Sequence, residues 1–335
     1  MKIFICQTPF QLFYSKILMK YLYTVTSEKD VPCLIIHSNV NIINENWPPN
    51  VSFMEFDSNL DIFKGFAQLK KIIKKINSAI ENNKNGKTRI FIPHIGGLLA
   101  NYIYYLKKTK KIELNLYYEG ILYFYEFEEK FQLIHLKRYF LALILGFKYK
   151  YTKRILPYES ERIKSIYTPL KKFTKGPKER IIEVPLIFQE SILEKEPNEE
   201  RFLILGGPVD YITDFYDICL KEIVAKKISS PKIFYKGHAS FNTHNFKFKN
   251  NFYEAAKSHK IDFKEISQQL AVETIIKDIA PTIVFSYYSS ALINIQLMSS
   301  LKHKTKCYLG PKDKIFNQIK HIFEYYDIEI INIKY

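Results

Sequence analysis

Residues 201–208 read RFLILGGP: one arginine, four apolar residues in a row, then Gly-Gly-Pro. A short apolar run closed by turn residues predicts a strand covered on both faces. The pattern continues downstream. Residues 214–225 carry apolar positions at helical spacing, and residues 232–235 (KIFY) form the next strand, ending at Lys236-Gly237-His238. Residues 266–276 predict a helix, residues 282–286 a strand followed closely by Ser289-Ser290, and residues 291–298 a helix. Late strands are predicted at 305–309 and 328–333. Upstream, residues 170–180 (LKKFTKGPKER) are basic, contain Gly-Pro and lack apolar periodicity, which predicts a linker.

The same alternation precedes that segment. Lys2–Cys6 (KIFIC) reads as a strand broken by Thr8-Pro9, and residues 11–23 return to helical spacing. Cys33–His37 (CLIIH) is a strand and residues 62–80 are a helix with isoleucines on one side and lysines on the other. Residues 82–86 (NNKNG) form a turn. Residues 89–93 are a strand with a His94, Gly96-Gly97 loop and a helix through Tyr105; residues 113–117 are a strand running into Tyr118-Glu119-Gly120. Strands separated by helices predict parallel α/β layering. At about 150 residues per domain, 335 residues predict two domains, placed at 1–165 and 183–335 with a linker at 166–182.

Hydrophobic residues at 47% and charged residues at 25% exclude wholesale disorder. The longest uncharged, nearly all-apolar run, residues 139–147, has nine residues against the ~20 of a bilayer span; beside basic residues it suits an interfacial contact or an oligomer contact, and is read first as core. The N-terminus has no signal-peptide pattern. Cys6, Cys33, Cys219 and Cys307 are scattered without a CxxC pair, so disulfides and a zinc cluster are not expected. The expected compartment is the cytoplasm.

Ligands of open α/β sheets sit beyond the carboxyl ends of strands. Four polar clusters occupy such ends: Glu119-Gly120, the loop 206–210, Lys236-Gly237-His238 and Ser289-Ser290. A glycine there admits a ligand to the backbone, and a histidine titrates in the working range of a general acid; a plain turn with a surface histidine has the same sequence. Two hydroxyls at a helix start suit an anion, although an ordinary N-cap needs one of them. Glu273, in a mostly apolar helical segment, can hold a ribose diol or simply face solvent. Glu119 and Asp210 are two carboxylates in comparable positions, either able to take a proton from a hydroxyl. Thr8 and Gln11 can line a ligand site or cap a helix. His94 reads as structural. The defining residues of P-loop, dinucleotide-binding, zincin and α/β-hydrolase motifs are absent. So is a DxD motif: Asp57 and Asp61 have three residues between them.

In this order the clusters resemble bacterial sialyltransferases of the GT-B type, above all glycosyltransferase family 52, with motifs shared with family 80 and with bacterial polysialyltransferases. Cys6, Thr8, Pro9 and Gln11 are similar to the first strand and turn of that family. Tyr118-Glu119-Gly120 resembles an acidic-Gly motif that usually carries two acids. Leu205-Gly206-Gly207-Pro208 with Asp210 resembles an L-G-S-P-D loop, Lys236-Gly237-His238 the histidine motif, and Ser289-Ser290 the serine motif. Glu273 matches the ribose-binding acid in approximate spacing. Ala239 stands where the motif has Pro, and Tyr118 where it has an acid.

The resemblance implies two Rossmann-like α/β domains facing a central cleft. The first would take the acceptor and the second the nucleotide sugar, and the C-terminal segment would be able to pack back on the first domain. It implies CMP-sialic acid as donor, with no cofactor and no metal. The donor phosphate would rest on Ser289, Ser290 and His238, the ribose on Glu273, and the cytosine on the backbone around Lys236 and Gly237. Thr8, Gln11 and Gly207 would complete substrate binding. Glu119, with Asp210 as rival, would be the base, and His238 the leaving-group acid. Another nucleotide sugar is the alternative donor, as in a hexosyltransferase. A nucleic-acid-binding module ranks lower, because the chain lacks RRM aromatics and zinc-finger spacing. The net charge of +16 favours an anionic partner. Lysines 70, 71, 74, 75, 107, 108, 110 and 111, with Lys148, Lys150, Lys153 and Arg154, suit anionic lipid on the inner face of the membrane, and equally suit plain solubility. A homodimer is left open.

Overall fold

The structure, a computed structural model, describes residues 1–26, 31–38, 40, 42, 47–48, 50–56, 64–83, 86–106, 111–186, 199–207, 211–228, 230–238, 246–298, 304–310 and 315–333. The chain divides into two compact units, Met1–Pro185 and Leu186–Tyr335.

The first unit contains strands β1 (Lys2–Cys6), β2 (Cys33–His37), β3 (Val51–Glu55), β4 (Thr88–Ile92), β5 (Ile112–Tyr117), β6 (Ile163–Thr168) and β7 (Ile181–Glu183), with helices α1 (Pro9–Thr26), α2 (Lys64–Asn82), α3 (Leu98–Tyr104) and α4 (Leu133–Ile144). Its sheet is parallel throughout, in the order β3-β2-β1-β4-β5-β6-β7. The second unit contains β8 (Arg201–Leu205), α5 (Ile212–Ala225), β9 (Lys232–Lys236), α6 (Phe246–Ser258), β10 (Lys264–Glu265), α7 (Val272–Ile279), β11 (Ile283–Tyr287), α8 (Ser290–Met298), β12 (Lys304–Leu309), α9 (Phe316–Tyr325) and β13 (Glu329–Asn332). Its six strands are also all parallel, ordered β10-β9-β8-β11-β12-β13. Two parallel, Rossmann-like α/β sheets are the predicted fold class.

The central strands are apolar on both faces because helices cover both sides of a parallel sheet. All five residues of β1 are buried, and Phe4 stacks on Phe91 of β4 with ring centroids 4.4 Å apart. The α2 sequence buries Leu69, Ile72, Ile76 and Ile80, spaced three and four apart, and exposes Lys70, Lys71, Lys74 and Lys75. Each such aliphatic burial is worth about 1.5–3 kcal/mol, which outweighs the modest propensity penalty of isoleucine in a helix. In the second unit, Phe215, Tyr216, Cys219 and Leu220 of α5 pack with Phe202, Tyr235, Phe252 and Phe285 in one core.

Three expectations are corrected. Residues 166–182 are not a linker: β6 and β7 pair within the first sheet, and the units divide after Pro185. The segment is ordered by polar bonds in place of apolar periodicity. Thr168 and Thr174 hydroxyls meet at 2.9 Å, Lys175 N–H donates to the Tyr123 carbonyl, and Lys178 Nζ reaches the Thr174 carbonyl at 2.9 Å. Residues 139–147 are not core, since α4 buries only Leu141 and Ala142 of this stretch and Leu143 is 74% exposed. The helix expected at 266–276 starts only at Val272. Among the described residues, no helix is long and apolar enough to cross a membrane.

Candidate active site

In the second sheet the chain lays β8, β9 and β10 outward in one direction and then returns to place β11 on the other side of β8. The carboxyl ends of β9, β8 and β11 are therefore adjacent, at a topological switch point, where open α/β sheets take ligands. Register fixes the alignment: Leu205 faces Lys236, Ile204 faces Phe285, and Gly206 N–H donates to the Lys236 carbonyl at 2.9 Å. Gly206-Gly207, Lys236-Gly237-His238 and Ser289-Ser290 thus leave three neighbouring strands on the same edge. Strands β9 and β11 are two spacings apart, about 10 Å.

Polar side chains here sit in one shared field. Burial brings the Lys236 ammonium down to about 8, opposed by the Glu273 carboxylate. Burial, then the Lys236 charge, holds the His238 imidazole down at about 4. Glu273, in the first turn of α7, is buried; burial raises its pKa, opposed by a hydrogen bond from Asn294 Nδ2 to Oε1 at 2.8 Å and then by Lys236. A buried cation beside a neutral imidazole gains from an incoming anion, which offsets the desolvation that lowers both pKa values.

The serine pair divides its work. Ser289 Oγ accepts the Ala291 N–H at 3.2 Å, so it caps α8. Ser290 opens α8 and is half-buried. Gly206 and Gly207 are required for packing: a Cβ on Gly206 would collide with the Tyr216 hydroxyl, and one on Gly207 with the Tyr287 ring. Gly237 is buried. Asp210, with Pro208 and Val209, lies outside the described residues, as does Ala239.

The first sheet repeats the construction. β1, β2 and β3 run outward, β4 returns to the other side of β1, and β5 follows it. At the end of β5, Tyr118 turns inward among Phe10, Tyr14 and Tyr123, with centroids 5.6–5.7 Å away. Glu119 comes next, and Gly120 follows it at φ 113°, in a region that favours glycine. The Glu119 side chain is 14% exposed, while its Oε2 is covered and without a hydrogen-bond partner. Burial pushes its carboxyl up to about 8.

His94, just beyond β4, places Nε2 3.4 Å from that oxygen. Its Nδ1 accepts the Gly96 N–H at 3.0 Å, so the neutral ring must carry its proton on Nε2, facing Glu119. Burial, then the charge of Arg138, holds His94 at about 4, which keeps the ring neutral. The distance is longer than a formed hydrogen bond. Thr8 and Gln11 are engaged elsewhere. Thr8 Oγ1 accepts the Gln11 N–H at 3.2 Å, and Gln11 Oε1 accepts the Gln7 N–H at 2.6 Å, a reciprocal cap with Pro9 in the first helical turn. Both side chains thus cap α1; Gln11 is 1% exposed and its amide oxygen is occupied.

His94 and Asn294 are the residues that sequence reasoning passed over. A signal existed for each. His94 follows the strand preceding that of Glu119, and consecutive strands commonly pair; Asn294 is one of two amides, with Gln296, in the otherwise apolar run ALINIQLM. A separate depression of ≈ 720 Å³, lined by Lys87, Glu113, Arg162 and Arg180, opens near the amino ends of β4–β6, the opposite end from the switch point.

No family model and no curated relative matches the chain. Solved structures do. The GT-B domain of a sialyltransferase from Photobacterium damselae superposes with a TM-score of 0.53 at 10% identity, covering 99% of this chain and 100% of that one. A second structure of the Photobacterium damsela sialyltransferase gives 0.54 at 10% identity, covering 99% and 81%. The fold is GT-B. A protein described as a UDP-N-acetylglucosamine 2-epimerase from Listeria monocytogenes gives 0.52 at 9% identity, covering 91% of this chain and 78% of that one. At such identities, the likeness is one of GT-B architecture, shared by a transferase and an epimerase alike.

Proposed function

We propose that the chain is an inverting, metal-independent sialyltransferase, moving sialic acid from CMP-sialic acid to a galactose-type hydroxyl of a lipooligosaccharide or capsular glycan. The observation that carries the reading is the meeting of Lys236, His238 and the Ser289-Ser290 helix start at one switch point, with Glu273 coupled to Lys236. The donor phosphate would lie against His238 and Ser290, with the α8 start turning N–H groups toward it. Its negative charge favours protonation of His238, which then donates that proton to the departing phosphate. Glu273, held by Asn294, would bind the ribose. Glu119 would accept the acceptor hydroxyl proton while that oxygen forms the new bond to the anomeric carbon and the bond to the CMP phosphate breaks. Inversion follows from a single displacement.

At neutral pH, a carboxyl with a pKa of about 8 is ionised in only about one molecule in ten. The Nε2–H of His94 favours the ionised form, and so acts as a positioning residue for the base. The proposed site of action is the cytoplasm, at the inner face of the membrane. The test is donor hydrolysis by the full chain, comparing CMP-sialic acid with UDP-sugars. Release of CMP supports the reading; release of UDP alone would move the assignment to the second reading, a GT-B enzyme of another nucleotide sugar. That second reading is favoured by the Listeria epimerase, which has a comparable TM-score.

A further inference from the structure

Helix α4 turns an apolar face outward. Leu133, Leu136, Phe140, Leu143 and Ile144 are 83%, 54%, 61%, 74% and 50% exposed, while His135, Leu141 and Ala142 hold the inner face. Phe131, 52% exposed, extends the face at its amino end. A single exposed leucine is ordinary, but a contiguous apolar face over three turns marks an interaction surface. Beside it lies an open groove of ≈ 850 Å³, walled by Leu136, Phe140, Leu143 and Phe147, with Lys148 on its lining.

Positive charge surrounds this face. Residues 130–154 contain seven Lys and Arg and no Asp or Glu. Lys130, Lys137, Lys148, Lys150 and Lys153 are exposed. Of the three acids just upstream, Glu129 lies 3.8 Å from Arg138 and Glu126 lies 3.3 Å from Arg154, while Glu128 is exposed. Charge decides between occupants. A second copy docked by a twofold axis would set this basic rim against itself. A bilayer with anionic headgroups neutralises the rim and takes up the apolar side chains together. Twelve residues of helix span about 18 Å, too short to cross ~30 Å of hydrocarbon, so the helix lies in the plane of the interface.

We infer that the outer face of α4, with its lysine rim, docks the protein on an anionic phospholipid surface. The inference gives the proposed peripheral membrane contact a definite surface and is independent of which donor is used. The test is flotation of the full chain with vesicles of phosphatidylcholine alone or of equimolar phosphatidylcholine and phosphatidylglycerol. The wild type floats with the anionic vesicles, less so as salt rises, and not with the neutral ones. Leu136→Ser with Leu143→Ser, both exposed, reduces binding about 30–300-fold while melting temperature and turnover on a soluble acceptor are unchanged. Lys137→Gln and Lys148→Gln each reduce it about fivefold. Absence of wild-type flotation would overturn the inference, and so would flotation that survives the leucine substitutions. A concentration-dependent dimer dissociated by those substitutions would assign the face to a second copy instead.

Discussion

One strand beyond the switch point of the first sheet, at the end of β5, one carboxyl, Glu119, is pushed up to about 8 by burial. At the switch point of the second, an ammonium and an imidazole, Lys236 and His238, are pushed down to about 8 and about 4 by the same cause. The backbone device is shared: in each sheet a strand returns to the far side of the first and brings three carboxyl ends together. The side chains differ. The first unit surrounds its acid with tyrosines: burial, and to a lesser degree the nearby Glu119 carboxylate, raises Tyr117, Tyr123 and Tyr158. The second couples Lys236 both to the buried Glu273 carboxylate and to the His238 imidazole. Parallel α/β topology therefore supplies a position but no chemistry; the residue types at the strand ends make one position proton-accepting and the other anion-receiving.

The largest expected effects separate these roles. Glu119→Gln and His238→Ala each reduce kcat by about 10²–10⁴, and the folded state survives both. Glu119→Gln leaves CMP affinity unchanged, whereas His238→Ala weakens it; equal loss of CMP affinity in both would erase the distinction. Next in size, Lys236→Met removes the cation and raises the donor KM by about 10–100-fold, the worth of a charge-assisted hydrogen bond.

A pH profile sharpens the contrast. Below about 8 the folded protein holds Glu119 protonated, so kcat/KM rises with pH through a limb centred near that value, and Glu119→Gln abolishes the limb. His94→Phe removes the facing N–H and moves the limb upward. Stability carries the opposite sign. Between the ordinary value of 4.5 and about 8, the folded state retains a proton that the unfolded chain releases, so this group costs stability progressively as pH rises. His94 and His238, lowered from 6.5 to about 4, cost stability as pH falls through that window. Thermal melts of Glu119→Gln against wild type across both windows check the signs. The smallest effect concerns packing alone: Gly207→Ala forces a methyl against the Tyr287 ring and lowers stability by about 1–3 kcal/mol, measured by denaturant titration.

Strands β1, β2 and β8 were readable with their observed bounds because central parallel strands are unbroken apolar runs. Strand β3, of mixed exposure, and the three-residue β7 carry no such run. The basic segment between β6 and β7 imitates a linker because its order comes from threonine and lysine hydrogen bonds to backbone. The polar clusters at strand ends were readable because a strand that stops at Lys236-Gly237-His238 announces where its edge lies. The contact between His94 and Glu119 was not, because it depends on β4 pairing with β5. Nor was that between Asn294 and Glu273, which joins two helices across 21 residues. Thr8 and Gln11 were ambiguous because a reciprocal helix cap and a ligand site use the same side chains.

Co-crystallisation or soaking with CMP locates the nucleotide site. The phosphate is expected beside His238 and the start of α8, with the ribose toward Glu273, and no nucleotide beside Glu119. Nucleotide density beside Glu119 and His94, or none beside His238 at saturating CMP, would contradict that placement.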